Sequence, residues 1–205
     1  ILAVLATGSP NWYAEQRFGA AGDNAERGLA LVRARGKVPG APRERRFLVS
    51  ALQSYFFNRW LADRITDGLL HDVVAGDLLQ KRASGGTFVS TEPDVDRARV
   101  AAGEIVVTGP MFGSAMRGPP DGTPAHAREA KILDAFSLGP ADFHPLRQIA
   151  EGTRRQATIL PGDPAVEVVG DAPDAIRVTF TLPAGAYATA VMRELQKLGE
   201  TETGP

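Results

Sequence analysis

Three places in the sequence carry side chains that could do chemistry. The run "NWYAEQRFG", Asn11 to Gly19, brings an amide, the aromatic rings of Trp12, Tyr13 and Phe18, a guanidinium and a carboxylate into nine residues. An amide offers a donor and an acceptor together, and a ring offers a stacking face. Glu15 with Glu194 could form a carboxylate pair, but each is flanked by an arginine, Arg17 and Arg193, and structural ion pairs explain them better. In "LPAGAYATAVMREL" a strand, a tight glycine turn and a helix start place backbone amides and Tyr187 at one spot, which suits an anion or nucleotide, although by geometry alone a plain strand-to-helix connection explains it better. From Arg33 to Arg46 the chain carries Arg33, Arg35, Lys37, Arg43, Arg45 and Arg46 against one acid, Glu44, as a nucleic-acid patch or a solvated loop would.

The remainder of the composition narrows the chemistry. The 205 residues include 23 Lys and Arg and 24 Asp and Glu, a net charge of −1, so any nucleic-acid contact must come from a local patch rather than a global field. Absence of cysteine removes disulfides and thiolate sites and fits the cytoplasm. His71, His126 and His144 lie far apart without paired-ligand spacing, so no metal is expected. No Walker loop, dinucleotide fingerprint or HExxH occurs, and the serines lack a nucleophile-elbow context. No window approaches a membrane span, and no membrane partner is expected.

These groups need elements to hold them. The opening "ILAVLA" reads as a short strand, not a signal peptide, because it lacks a basic flank and runs into Gly8-Ser9-Pro10. A helix is expected from Asp23 or Asn24, broken by "GKVPGAP", Gly36 to Pro42. "RERRFLVSALQSYFFNRWLADRI" is the strongest helix, with Phe47/Leu48, Ala51/Leu52, Tyr55/Phe56, Leu61 and Ile65 forming one buried stripe and its aromatics in the core. Short strands are expected in "LLHDVV", "GDLLQKR", "TFVST" and "EIVVTGPMFG", with a helix over Asp94 to Ala102 and a turn at Gly109-Pro110 whose Met111 and Phe112 plug a core. A loop over Arg117 to Pro124, helices over Ala125 to Phe136 and Ala141 to Glu151, the second interrupted near Pro145, and punctuation at Pro161 to Pro164 follow. "AIRVTFTL" alternates as a half-buried strand with Ile176, Val178, Phe180 and Leu182 on one face, and "AYATAVMRELQK" is a helix with Val191, Leu195 and Leu198 inward, before the polar tail "GETETGP".

The run "GSPNWYAEQRFG" resembles the "PNYFGxQRFG" signature of the TruD-type tRNA pseudouridine synthases. "RRFLVSALQSYFFNRWLADRI", "GDLLQK", "TGPMFG" and "LPAGAYATAVMREL" resemble later blocks of that family, in the family's order. The resemblance implies an α+β fold: a pseudouridine synthase catalytic domain with a mixed sheet, interrupted by an inserted α/β TRUD domain. Residues 1–36 and 158–205 would belong to the catalytic domain and 37–157 to the insertion. It implies isomerisation of a uridine in the D arm of tRNA, position 13 in bacterial members, with tRNA as partner and no cofactor or metal. An aspartate attacks or deprotonates at the sugar while the flipped base is stacked and hydrogen-bonded.

Carried over by position, Asn11 matches the substrate-contacting Asn, and Tyr187 matches the base-contacting aromatic of the family's "LPAGSFAT" block. Trp12 and Tyr13 stand at the signature's Tyr-Phe pair and Ala14 replaces its usual Gly, whereas Gln16, Arg17, Phe18 and Gly19 match. Asn11, Tyr13, Gln16, Arg17 and Tyr187 are therefore the expected substrate-binding set, with Arg17 bracing the site. Arg33, Arg35, Lys37, Arg43, Arg45 and Arg46 are the expected RNA contacts. The family's catalytic aspartate lies in an upstream "GxKDR" motif that nothing here matches, Asp63-Arg64 and Asp96-Arg97 standing in other contexts. No catalytic residue is therefore assigned. The expectation is an amino-terminally truncated, inactive sequence; the alternative is a non-catalytic RNA-binding module on the same fold.

Overall fold

Leucine and alanine are strong helix formers, and the apolar opening run folds as a helix, α1 (Leu2–Thr7), not as the expected strand. In this computed structural model, which describes residues 2–170 and 175–197, the chain continues through β1 (Ser9–Pro10), a 3₁₀ turn (Glu15–Phe18), α2 (Asn24–Arg33), α3 (Pro42–Thr66), β2 (Leu78–Lys81), β3 (Thr87–Val89), α4 (Pro93–Ala101), β4 (Ile105–Met111) and α5 (Pro124–Asp134). A 3₁₀ segment (Pro140–Leu146), β5 (Thr153–Gln156), β6 (Thr158–Ile159), β7 (Gly162–Val168), β8 (Ile176–Thr181) and α6 (Ala188–Lys197) complete it. The polar tail and Leu198 lie outside the described residues. Two compact units result, Ile1–Trp12 with Thr158–Pro205 and Tyr13–Ala157.

In the first unit β1 pairs antiparallel with β6, Ser9 opposite Ile159, and β7 pairs with β8 as a hairpin. The expected punctuation at 161–164 is instead the irregular start of β7, where the register shifts between Gly162 and Ala165. Val178 and Phe180 of β8 and Leu182 just past it alternate inward and pack with Val166 on a core of Leu5, Val191 and Leu195, whereas Ile176, expected on the same face, is 47% exposed; α6 lies against β1.

The second unit is built around α3. Pro42 opens it at a position where its missing N–H costs nothing. From Val49 to Leu61 more than one stripe is buried: Val49, Leu52, Phe56, Phe57, Trp60 and Leu61 are at most 3% exposed, because α2, β4 and α5 all pack around this helix. Phe47 leaves the stripe and is 43% exposed. Two glycines let neighbouring elements approach α3 closely. A Cβ on Gly28 of α2 would lie 2.3 Å from the Leu48 carbonyl oxygen, and one on Gly109 of β4 would lie 2.4 Å from the Trp60 ring. Residues 13–36, expected with the first domain, pack in this unit through α2 on α3.

The four-stranded sheet runs β3-β2-β4-β5. The turn expected at Gly109-Pro110 is a continuation of β4. Proline survives there because β2 pairs only with Ile105–Val107 and β5 only with Thr108–Met111, which leaves one side of Pro110 without a ladder partner to lose. Met111 and Phe112 are buried, as expected. "LLHDVV" is not a strand: its backbone wraps Arg64, which is 1% exposed and donates to the Leu69 and Asp72 carbonyls at 2.8 and 2.6 Å and to both Asp77 oxygens at 3.0 and 2.7 Å. The helix expected over 141–151 is a 3₁₀ segment ending at Leu146, since Pro145 denies an α-helix its amide while Phe143 is fully buried against Phe112. The class is α+β. Among the described residues every strand pair is antiparallel, so the mixed sheet expected for the catalytic domain is not seen there; the pairs are hairpins, meanders or strands meeting across an insertion, which need no parallel crossover.

Candidate nucleic-acid interface

The 3₁₀ turn after Tyr13 and the first turns of α3 build one cleft of about 480 Å³ in the second unit. Arg43, the adjacent pair Arg46 and Phe47, Ser50 and Gln53 succeed one another three or four residues apart along α3, which puts them on one face toward the cleft. Tyr13 and Arg17 line it from the turn, and Glu151 and Thr153 stand across from the segment entering β5.

Tyr13 is held from three sides. Its amide donates to Asn58 Oδ1 and its carbonyl accepts from Asn58 Nδ2, both at 2.9 Å, so one side chain satisfies the backbone of the turn as a neighbouring strand would. Its hydroxyl donates to Met111 Sδ at 3.7 Å, and its ring meets Phe57 edge-on with centroids 5.9 Å apart. The Arg155 guanidinium lies 3.9 Å from the ring centroid. Alternation along β5 sends the preceding Arg154 the other way, into a buried 2.7 Å pair with Glu129. There burial pushes the Glu129 carboxyl above its ordinary value and outweighs the opposing pull of Arg154. Asn58 and Arg155 were not expected from sequence; the alternation of "TRRQ" is the one signal that could have separated the two arginines.

Arg17 braces the turn against α3, its Nε donating to Ser54 Oγ at 3.1 Å and its Nη2 donating to Ser50 Oγ. Gln16 is exposed on the 3₁₀ turn and does not line the cleft. The basic segment splits. Arg43 and Arg46 face the cleft, whereas Arg45 folds back to donate to the Gly36 carbonyl at 2.6 Å and Arg33 donates to the Phe136 carbonyl at 3.1 Å. Arg35 and Lys37 are exposed away from the cleft lining. Glu44, the acid of the segment, is occupied by Arg27 at 2.7 Å. Arg17, Arg43 and Arg46 therefore face Glu151 alone, which leaves the cleft net positive. A larger cleft of about 850 Å³ beside α2 is mostly apolar and carries Glu15 and Glu26 with one arginine, Arg59, a balance that repels phosphate.

In the first unit Asn11 follows β1 and is 7% exposed, and Tyr187 precedes α6, its carbonyl accepting from the amides of Ala190 and Val191 at 3.0 and 3.3 Å. The turn-and-helix arrangement read from "LPAGAYATA" is thus present. The Asp-Arg pairs of the sequence are tied up in packing: Asp63 pairs with Lys131 at 2.8 Å, Arg64 with Asp77, Asp96 with Arg99 at 3.0 Å, and Arg97 with Asp94 at 2.7 Å and with Asp72. Among the described residues no cluster of three or more His, Cys, Asp or Glu is arranged to hold a metal, and no helix is long and apolar enough to cross a membrane.

Arginines and rings around one opening suit phosphate and base. The family model for tRNA pseudouridine synthase D (TruD) matches residues 38–195. A tRNA pseudouridine synthase D of Anaeromyxobacter dehalogenans is 46% identical, over 98% of this chain and 57% of the relative. That of Thermus thermophilus is 39% identical, over 93% and 51%. The chain spans about half the length of these curated relatives. A crystal structure from Methanosarcina mazei described as a tRNA pseudouridine synthase D (TruD) shares the fold at TM-score 0.73 and 21% identity, over 95% of this chain and 62% of that one. On this evidence the chain belongs to the TruD family of tRNA pseudouridine synthases.

Proposed function

We infer that the protein isomerises a uridine of the tRNA D arm, position 13, to pseudouridine in the cytoplasm, and that this chain supplies the base contacts and RNA grip. The observation that carries the reading is the family match over residues 38–195. Asn11 would read the uracil edge with its amide and Tyr187 would contact the base, after the uridine has left its stack. Tyr13 and Arg17 shape the adjoining turn, and Gln16 offers a further exposed amide. Arg43 and Arg46, with Arg33, Arg35, Lys37 and Arg45 in secondary positions, neutralise phosphates. The catalytic domain is assigned 1–36 and 158–205 and the insertion 37–157, with residues 13–36 packed on the insertion.

The aspartates that stand beside arginines here are engaged in structural pairs, so no residue of this chain is assigned as nucleophile. The 205-residue chain is therefore expected to bind tRNA without turning it over. Tritium release from tRNA labelled at uridine C5 measures the isomerisation, and the expected result is none; release would refute the inactivity. In a protein that also carries the upstream aspartate motif, Asn11→Ala should lower turnover by about a hundredfold or more, the scale of losing a buried donor and acceptor pair to the substrate. Full activity in that variant would remove Asn11 from the pocket. The second reading, a non-catalytic RNA-binding module on the same fold, requires salt-dependent tRNA binding with no isomerisation.

A further inference from the structure

Phe47 is the feature that neither core packing nor the proposed function accounts for. It lies in the second turn of α3, at the exposed amino-terminal end of the apolar stripe, where 43% of it is exposed, and it opens on the cleft that Arg43 and Arg46 flank. A large ring left in water beside cations forgoes its burial energy, so an occupant that covers the ring and satisfies the cations would gain from both. Arg17 approaches the same ring, its Cζ 5.8 Å from the centroid, which restrains the ring from one direction. At the bottom, Gln53 donates its amide to the Phe112 carbonyl at 2.7 Å, fixing which way its carboxamide points. A volume of about 480 Å³ accommodates one nucleotide and is too small for a folded helix of RNA.

We propose that this cleft holds one unpaired nucleotide of the RNA, distinct from the uridine that is isomerised, with its base laid against Phe47 and its phosphate on Arg43 and Arg46. The inference rests on the reading that the chain binds tRNA. The division of labour follows from chemistry. Arginine forks take phosphate oxygens in pairs and carry no sequence information, whereas the ring accepts any base because every base has a π-face. Glu151 at the rim disfavours a second phosphate there and leaves an acceptor for an exocyclic amine or ring N–H. The cleft would then act as a gauge for where an RNA single strand leaves its helix.

The test is fluorescence anisotropy of the 205-residue chain with a labelled single-stranded oligouridylate, titrated at several salt concentrations. Phe47→Ala and Phe47→Leu should each weaken binding about tenfold with an unchanged salt slope, while Phe47→Trp should retain affinity and show quenching of the new indole on binding. Arg43→Gln should weaken binding and reduce the slope by about 0.7, one phosphate's worth for a single strand. Lys81→Gln, exposed on β2 and outside the cleft lining, serves as the control. Leucine matching phenylalanine would overturn the stacking role, and so would an unquenched indole in Phe47→Trp. Should Phe47→Ala fail to fold by circular dichroism, the Leu and Trp variants decide. Binding to tRNA without binding to the oligonucleotide would overturn this inference alone, whereas binding to neither would overturn the proposed function as well.

Discussion

The two ends of α3 use arginine in opposite ways. Near its carboxy-terminal end Arg64 is 1% exposed, with its guanidinium spent on Asp77 and on the carbonyls of Leu69 and Asp72. Near the amino-terminal end Arg43 and Arg46 are exposed on a cleft whose one carboxylate is Glu151. One end turns charge inward to order a loop, and the other leaves it facing an open cleft. What distinguishes them is how many carbonyls and carboxylates the surrounding chain brings within reach, since the residue type is the same.

Substitutions at the two ends should therefore separate stability from binding. Arg64→Met leaves Asp77 buried without its partner and should cost about 3 to 5 kcal/mol, read as a shift of the urea midpoint. An unchanged midpoint would erase the contrast. Between the two ends, Asn58→Ala removes both hydrogen bonds to the Tyr13 backbone and should cost about 1 to 3 kcal/mol while loosening the turn that carries Arg17. Asn58→Asp should recover only part of this, because it lacks the donor to the Tyr13 carbonyl. Arg43→Gln with Arg46→Gln should move stability by no more than about 0.5 kcal/mol, as exposed side chains do, yet lower the salt slope of RNA binding. A drop in melting temperature comparable to that of Arg64→Met would place these two arginines in the structural class.

The smallest effect concerns pH. His71, in the loop that wraps Arg64, is exposed, yet desolvation by its neighbours holds its pKa below the ordinary 6.5. The unfolded chain therefore binds the proton first on acidification, and stability present above about 6.5 falls as the pH drops toward the lower folded value. Asp72, held low by its bond from Arg97, adds a loss of the same sign at more acid pH. His71→Gln should flatten the melting temperature between pH 5 and 7 relative to the parent; an identical slope in both would show that His71 does not contribute.

How much of this could be read in advance depended on which forces were local. The α3 helix was legible because i, i+4 spacing is a property of the helix itself, and β8 was legible because Val178, Phe180 and Leu182 alternate. "ILAVLA" was not, since a six-residue apolar run carries no usable period and its leucines and alanines favour the helix it forms. Gly109-Pro110 was read as a turn because the absence of β2 pairing at that register is a tertiary fact. Within the candidate site, the presence of Tyr13 and Arg17 near a basic helix start was legible from residue type. The split of the basic segment was not, because the carbonyls that claim Arg33 and Arg45 belong to Phe136 and Gly36, and which arginine meets them is decided by packing. Phe47 was misplaced for the reciprocal reason: its spacing matched the buried stripe, but α2 covers the Leu48 side of that turn and, among the described residues, the Phe47 side is left open.

The short pairing of Ser9 with Ile159 has a kinetic side. It joins chain segments separated by about 150 residues, so forming it from an unfolded chain means closing a very long loop for a two-residue ladder. The α2–α3 hairpin, by contrast, brings together segments joined by residues 34–41 and can assemble from near neighbours. The β1–β6 ladder should therefore be among the last structure to acquire protection during refolding, and pulse-labelled hydrogen exchange would show α3 amides guarded before those at 158–159. Its arrival would mark the moment at which Asn11, two residues beyond Ser9, becomes fixed in sequence with the rest of its unit.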